Sequence, residues 1–419
     1  MPLLLIAGLS YLVAVYIGDR FHYMAFSLDH QTGSIVFLPL AAFLLSLMPK
    51  DTWVRIAYSC LATFFFFQDP QFAFYLFAVA AAFYVFANLW LKMGQAKQGS
   101  TLPIFTALAL AYVPFAIYVS KIPVSKSQIA LLILFKSIFA MRLISWATDR
   151  ILYRQNDDHG FKEYLEYLYN PVFMLLPGQI QYVQYSYFHQ SKTPSPATST
   201  SRSAIATRLG LAAWGLLAMS VFSIGNDYFW KHLFELPVGK SGIELVAIHF
   251  AFGLYWLVLI YFQQAGGMSF QVSIARELGY NLKYDMHFPL LARSPIDYLR
   301  RHSSYVRDYV VHVGMRPMGL GLIRKNIEPR FAFLLTAIVA YTVLVGVQVG
   351  YRADLERPLT TGLAMVGFLA LFLVLPFGGS LGEAIREKRL RDWNMKDIMA
   401  WLLTIGLLAI YKSILGLVR

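Results

Sequence analysis

The chain has 419 residues, of which 58% are hydrophobic and only 14% charged, and its net charge is +13. Water-soluble domains carry roughly 25% charged residues, so this composition leaves no room for a soluble domain of any size and points to helices embedded in lipid. The single cysteine, Cys60, excludes an intrachain disulfide framework and a cysteine-based metal site, and no metal centre is expected.

A helix needs about 20 mainly apolar residues to cross the hydrocarbon core. Apolar stretches near that length recur at 3–17, 34–48, 53–67, 71–91, 103–120, 128–147, 204–224, 243–263, 331–350, 358–376 and 397–416. They predict one polytopic domain over 1–419 with about ten or eleven transmembrane helices. The first of them, in MPLLLIAGLSYLVAVYIGDRF, lacks a positively charged leader and is read as a retained helix.

Two regions do not read as simple spans. Residues 150–203 open with polar RILYRQNDDHGFKEYLEYLYN and continue as PVFMLLPGQIQYVQYSYF, where Pro171, Pro177 and Gly178 interrupt helical geometry. Such a segment is predicted to be re-entrant or interfacial, since broken backbone at membrane depth must be covered by protein or line a cavity. It ends in a polar loop, SKTPSPATSTSRS. The second region, 264–330, is rich in Arg and Lys, as is 377–396. The positive-inside rule places both at the cytoplasmic face. The basic residues sit in short loops between apolar runs, which favours anionic head groups over nucleic acid.

Within the second region, IDYLRRHSSYVRDYVVHVGMRP (296–317) forms an amphipathic helical pattern. Leu299, His302, Val306 and Val310 share one face, and Arg300, Ser304, Arg307 and Asp308 take the other. One imidazole therefore points inward from a basic helix, whose arginines suit the phosphates of a nucleotide or lipid. The alternative is an interfacial helix with a buried neutral His302. Lys136, Arg142, Asp149 and His249 are further ionisable residues at or near membrane depth, where such groups are costly and mark functional candidates. Asp149, beside Arg150 at a helix end, is expected to be solvated; His249 is weighed equally as a ligand and as an interhelical hydrogen-bonding group.

The stretch GGMSFQVSIARELGYNLKYDMHFPLLARSPIDYLRRHSSYVRDYVV (266–311) resembles the membrane-bound O-acyltransferases, nearest the bacterial branch that acetylates alginate and D-alanylates teichoic acid. The parallels are Gly266, Ile274-Ala275-Arg276, Leu278-Gly279, Pro289, Arg293-Ser294, Arg300-Arg301-His302 and Arg307-Asp308-Tyr309. Weaker echoes at 53–90, 137–154 and 170–188 fall in the family's order. The family's usual catalytic histidine is missing, because the corresponding span 331–352 contains none.

The resemblance implies a funnel of helices with broken central segments, in the bacterial cytoplasmic (inner) membrane. It implies transfer of an acyl group from a cytoplasmic thioester, acyl-CoA or an acyl carrier protein, to a hydroxyl on a polysaccharide, lipid or small molecule. The thioester is a co-substrate, and no bound cofactor is implied. An extracytoplasmic acyl-accepting protein is a further implied partner, beside membrane lipids. With the usual base missing, His302 is the first candidate, His249 the second and His312 the third; Arg300, Arg301 and Arg307 are candidates for holding the donor's phosphates. The alternatives are a catalytically inactive subunit or scaffold of the same fold, and a transporter of a lipid or other substrate.

Overall fold

The computed structural model describes residues 2–17, 31–49, 53–67, 70–92, 139, 141–152, 160–170, 183–193, 195–233, 235–237, 239, 241–284, 286, 288–293, 297–298, 301, 304–323, 325–328, 332, 335–336 and 393–417. Among these, helix is the dominant structure and there is no strand. The expected spans 103–120 and 358–376 lie outside the described residues, as does nearly all of 331–350.

Four helices come first: α1 (Pro2–Ile17), α2 (Gln31–Leu47), α3 (Trp53–Phe67) and α4 (Pro70–Lys92). Pro2 and Pro70 open α1 and α4, where the missing amide hydrogen costs nothing. In α1, Leu3, Ile6, Ala7, Ser10 and Ala14 are buried at helical spacing, while Leu5, Leu12 and Val15 on the other side are more than half exposed. The helix α5 covers 141–152 and ends in a π turn, Thr148–Leu152. After it come α6 (Phe161–Tyr169) and α7 (Tyr185–Ser191).

The longest elements are α8 (Arg202–Tyr228), extended by a π turn to Leu233, and α9 (Gly242–Glu277). Two more complete the set. The helix α10 starts at Ser304–Tyr309, passes through a π turn at Val310–Met315 and ends at Arg316–Ile323; α11 is Met395–Leu417. Three helical stretches are long and apolar enough to cross a membrane: Phe74–Lys92, Arg202–Leu233 and Gly242–Glu277.

α8 and α9 form an antiparallel pair, with α11 packed against α9 and α1 against both α2 and α8. The α8–α9 contact is close because glycine faces glycine. A Cβ at Gly215 would lie 2.8 Å from the carbonyl oxygen of Gly266, and one at Gly266 would lie 2.8 Å from that of Gly215. Removing both side chains lets the two backbones approach closely. The pair is fastened along its length. Ser273 donates to the Arg208 carbonyl at 2.7 Å, Tyr255 donates to the Gly225 carbonyl at 2.6 Å, and Arg208 pairs with Glu277, both buried. Arg208 also donates to the carbonyls of Ala197 and Ser199, tying down the polar loop before α8.

The span expected at 243–263 therefore continues to Glu277. Residues 265–275 are mostly small or polar, yet every one is buried. They meet protein rather than solvent or lipid, so hydropathy does not reveal them. The helix stops at Gly279, whose φ of +92° is open to glycine without penalty. The amides of Tyr280 and Gly279 then bond back to Ala275 and Arg276, closing the last turn in a Schellman motif.

An aromatic cluster joins the first half of the chain to the centre. Trp146 of α5 lies 4.5 Å from Tyr164 of α6 by ring centroids, and Tyr84 of α4 lies 4.9 Å from Phe161.

Candidate functional site

The helix α5 carries a buried polar stripe in an otherwise apolar sequence. Arg142, Ser145 and Asp149 stand at i, i+3 and i+7, which places them on one face. Each engages a different piece of backbone. Arg142 donates from Nη1 to the carbonyls of Tyr167 and Leu168, at the C-terminal end of α6. Those carbonyls have no partner further along the helix, and a cation there also meets the negative end of the dipole. Arg142, a functional candidate by sequence, thus caps α6.

Ser145 and Asp149 hold the start of α7. The Tyr185 amide donates to Ser145 Oγ at 3.1 Å, and the Ser186 amide donates to Asp149 Oδ2 at 2.9 Å. Gln184, at the N-cap position, makes no side-chain cap of its own, so α7 borrows its cap from α5. Just before it, the Val183 carbonyl accepts from the Tyr167 hydroxyl at 2.8 Å.

The other oxygen of Asp149, Oδ1, is bonded to Nε2 of His312. The Asp149 side chain is 1% exposed and that of His312 10%. Both sit in π turns, Thr148–Leu152 and Val310–Met315. Such one-residue expansions are frequent at functional sites because they re-aim a side chain without ending the helix. The Tyr309 hydroxyl donates to the Met141 carbonyl at 2.7 Å, locking α10 onto α5 one turn before His312.

The pair sits at the far end of two short antiparallel helical runs. At the near end, the Asn281 amide donates to the Ser191 carbonyl that closes α7, and Tyr305 of α10 donates to the Lys283 carbonyl. Between the ends, the Tyr187 and Tyr305 rings meet edge-on at 5.9 Å. Five residues of α7 (186–191) and seven of α10 (305–312) separate the 281–283 loop from the pair, or about 8–10 Å at 1.5 Å per residue.

A second polar cluster closes the near end. Buried Glu166 accepts from Tyr280 at 3.0 Å and pairs with Lys192 at 2.7 Å, while Asn170 donates to the Tyr280 hydroxyl at 2.9 Å. Burial and the Glu166 carboxylate push the Tyr280 phenol well above its ordinary range, so it remains a neutral donor. A third cluster ties the basic segment to α11: Arg293 pairs with Asp397 at 2.5 Å, and Arg301 with Asp297 at 3.0 Å. Asp397 and Asn394 form a reciprocal capping box at the start of α11.

The sequence candidates fall on several elements. His302 and Arg300 lie outside the described residues, as does Lys136. His312 is the buried partner of Asp149. His249 is half-buried on α9 and edge-on to Phe252 at 6.0 Å, on a different element. Arg301 is held by Asp297, and Arg307 bonds Asp308 at 2.7 Å with both side chains well exposed. On α10, Tyr305, Tyr309 and His312 are buried, at i, i+4 and i+7.

Asp149 corrects an expectation, since it is buried and bonded rather than solvated. Its partner is 163 residues away in sequence, so no local pattern marks it. The signal that was available is the i, i+3, i+7 polar spacing on an apolar helix. Asn170 and Gln184, on either side of the Pro and Gly residues on which the expected break rests, are extended, and Pro171 lies outside the described residues. Pro177 and Gly178 themselves lie outside the described residues.

Among the described residues, no group of three or more His, Cys, Asp or Glu side chains is placed to hold a metal ion. In comparison with known proteins, no family model and no curated protein matches the chain. The described fold defines a class: an all-α protein in which three helices have the length and apolarity to cross a membrane.

Proposed function

We propose that the chain is a multi-pass protein of the bacterial cytoplasmic membrane, of the membrane-bound O-acyltransferase type, and that His312 is its general base. The membrane reading is supported by the three long helices and by large apolar side chains on outward faces, such as Leu12 at 64% and Leu403 at 66% exposure. The ends of the α8–α9 pair also differ. Arg202 and Lys283 are exposed at one end; at the other, Tyr228 and Trp230 are exposed, as in an interfacial aromatic belt, and the exposed Lys231 is neutralised by Asp227. The basic end is the cytoplasmic one.

The observation that carries the catalytic reading is the buried Asp149–His312 pair. A carboxylate held against one ring nitrogen of an imidazole fixes its tautomer and stabilises the imidazolium that forms when the ring takes a proton. With Nε2–H donated to Asp149, Nδ1 accepts the proton of the acceptor hydroxyl. The oxygen attacks the thioester carbonyl, the new C–O bond forms, and the C–S bond breaks. The imidazolium then returns its proton to the departing thiolate. The base's position, about 8–10 Å of helix from the 281–283 loop, suits a donor arriving from the basic face. Arg300, Arg301 and Arg307 remain the proposed phosphate-holding residues, with His302 and His249 as the other candidate bases.

The test is release of free thiol from a panel of short- and long-chain acyl-CoAs by the protein in liposomes, with crude polysaccharide and lipid as acceptors. His312→Gln lowers release about 10²–10⁴-fold, the usual contribution of a general base. Release that survives this change in full removes His312 from the reaction.

A second reading, a non-catalytic subunit of the same fold, is favoured by one observation: Asp149 also holds the Ser186 amide, a structural task. In that case the wild-type protein releases no thiol, and His312→Gln changes only stability.

A further inference from the structure

We infer that Ser145 is a positioning residue for the His312 imidazole, acting through the first turn of α7 and the Asp149 carboxylate. The inference deepens the proposed role of His312 and rests on that reading for its consequence, though not for its test.

The geometry is a relay of three contacts. Ser145 Oγ receives the Tyr185 amide, the next amide, Ser186, goes to Asp149 Oδ2, and Asp149 Oδ1 holds His312 Nε2. Ser145, Asp149 and Tyr185 are all at most 3% exposed, so none of these groups exchanges a lost partner for bulk water. A buried amide that loses its acceptor is left desolvated with nothing in exchange, which is costly. The first turn of α7 therefore has a strong reason to stay where two side chains of α5 hold it. The Asp149 carboxylate in turn cannot rotate toward or away from His312 without giving up the Ser186 amide. Ser145 and Asp149 are one helical turn apart on α5, so the two amides of consecutive residues lock both together.

The ordinary alternative is that Ser145 is a cap and nothing more. The two readings differ at the ring. If Ser145 only caps α7, its loss lowers stability and leaves the imidazole as it was. If it positions the ring, its loss changes the tautomer population of His312 in a protein that is still folded.

The experiment is ¹⁵N spectroscopy of histidine-labelled, full-length protein in lipid nanodiscs, with the His312 signal assigned by its disappearance in His312→Gln. In the wild type, His312 gives one tautomer, protonated at Nε2. Asp149→Asn gives a mixture, because the carboxylate that selects the tautomer is gone. Ser145→Ala gives an intermediate mixture, and Ser145→Thr, which keeps the oxygen, restores the wild-type spectrum. Ser220→Ala is the control, since that hydroxyl bonds the Leu216 carbonyl within α8. Should Ser145→Ala fail to fold, Ser145→Cys supplies a weaker acceptor and a smaller shift of the same sign. An unchanged His312 spectrum in folded Ser145→Ala or Ser145→Cys overturns the inference. That result leaves the acyltransferase reading standing, whereas absence of thiol release with an intact relay would do the reverse.

Discussion

Alanine at Gly215 isolates the energetics of the α8–α9 crossing. A Cβ there falls 2.8 Å from both the Gly266 oxygen and the Phe270 nitrogen, and 2.9 Å from the Phe270 Cβ. Real Cβ atoms essentially never come closer than 3.0 Å, and ordinary van der Waals contact begins at 3.4 Å, so the backbones must separate by some tenths of an ångström. Backbone atoms cannot rotate out of the way as a side chain end would. Overpacking of this kind costs about 1–3 kcal/mol. Glycine to alanine also gains helix propensity, up to about 1 kcal/mol, which would mask part of the loss. Gly210 removes that ambiguity: it lies on the same helix with nothing within 4 Å of its Cβ position. Gly210→Ala takes the propensity gain alone, and the difference between the two variants is the steric term. Measured by equilibrium unfolding in bicelles, Gly215→Ala should fall below Gly210→Ala by about 1–3 kcal/mol, or about 5–150-fold in the folded ratio. Equal stabilities would mean that the two backbones are not in contact, and the packing described for α8 and α9 would be wrong.

Two further outcomes test other links. Glu277→Gln leaves the buried Arg208 guanidinium without its counter-charge; the same unfolding assay should show a loss of about 3 kcal/mol, the lower end for a broken buried pair, because the Ala197 and Ser199 carbonyls still receive Arg208. Lys325 is exposed in the basic segment after α10; a cysteine placed there, Lys325→Cys, should react with an impermeant thiol reagent only when the cytoplasmic side is opened, and labelling of intact cells would invert the topology.

Much of the helical layout was legible from hydropathy. The stretches 3–17, 53–67, 71–91 and 397–416 differ by two residues or fewer from the ends of α1, α3, α4 and α11. These helices turn large apolar side chains outward, so their boundaries coincide with loss of apolarity. α9 marks the limit of hydropathy: Gly266, Ser269, Gln271 and Ser273 read as a loop but pack against protein. The wheel over 296–317 left His312 off its inward face for a different reason. It takes the Leu299–Val306–Val310 stripe as inward because those side chains are the apolar ones, whereas the buried side of α10 carries Tyr305, Tyr309 and His312, a face at ordinary helical spacing that apolarity alone does not single out. Asp149 was misread because its charge neighbour in sequence, Arg150, implied a solvated end, while its true partner arrives from another helix.

The central claim is that the Asp149–His312 pair performs acid–base chemistry, and parallel variants test it most directly. His312→Gln, Asp149→Asn, His302→Gln and His249→Gln are placed in the same liposomes, and thiol release from the best acyl-CoA is measured against pH for each. A general base at His312 requires that His312→Gln lose about 10²–10⁴-fold, that Asp149→Asn lose a large part of that, and that His249→Gln stay near wild type. Full activity in His312→Gln, with the loss found instead in His302→Gln, would contradict the claim and move the base to the neighbouring basic segment.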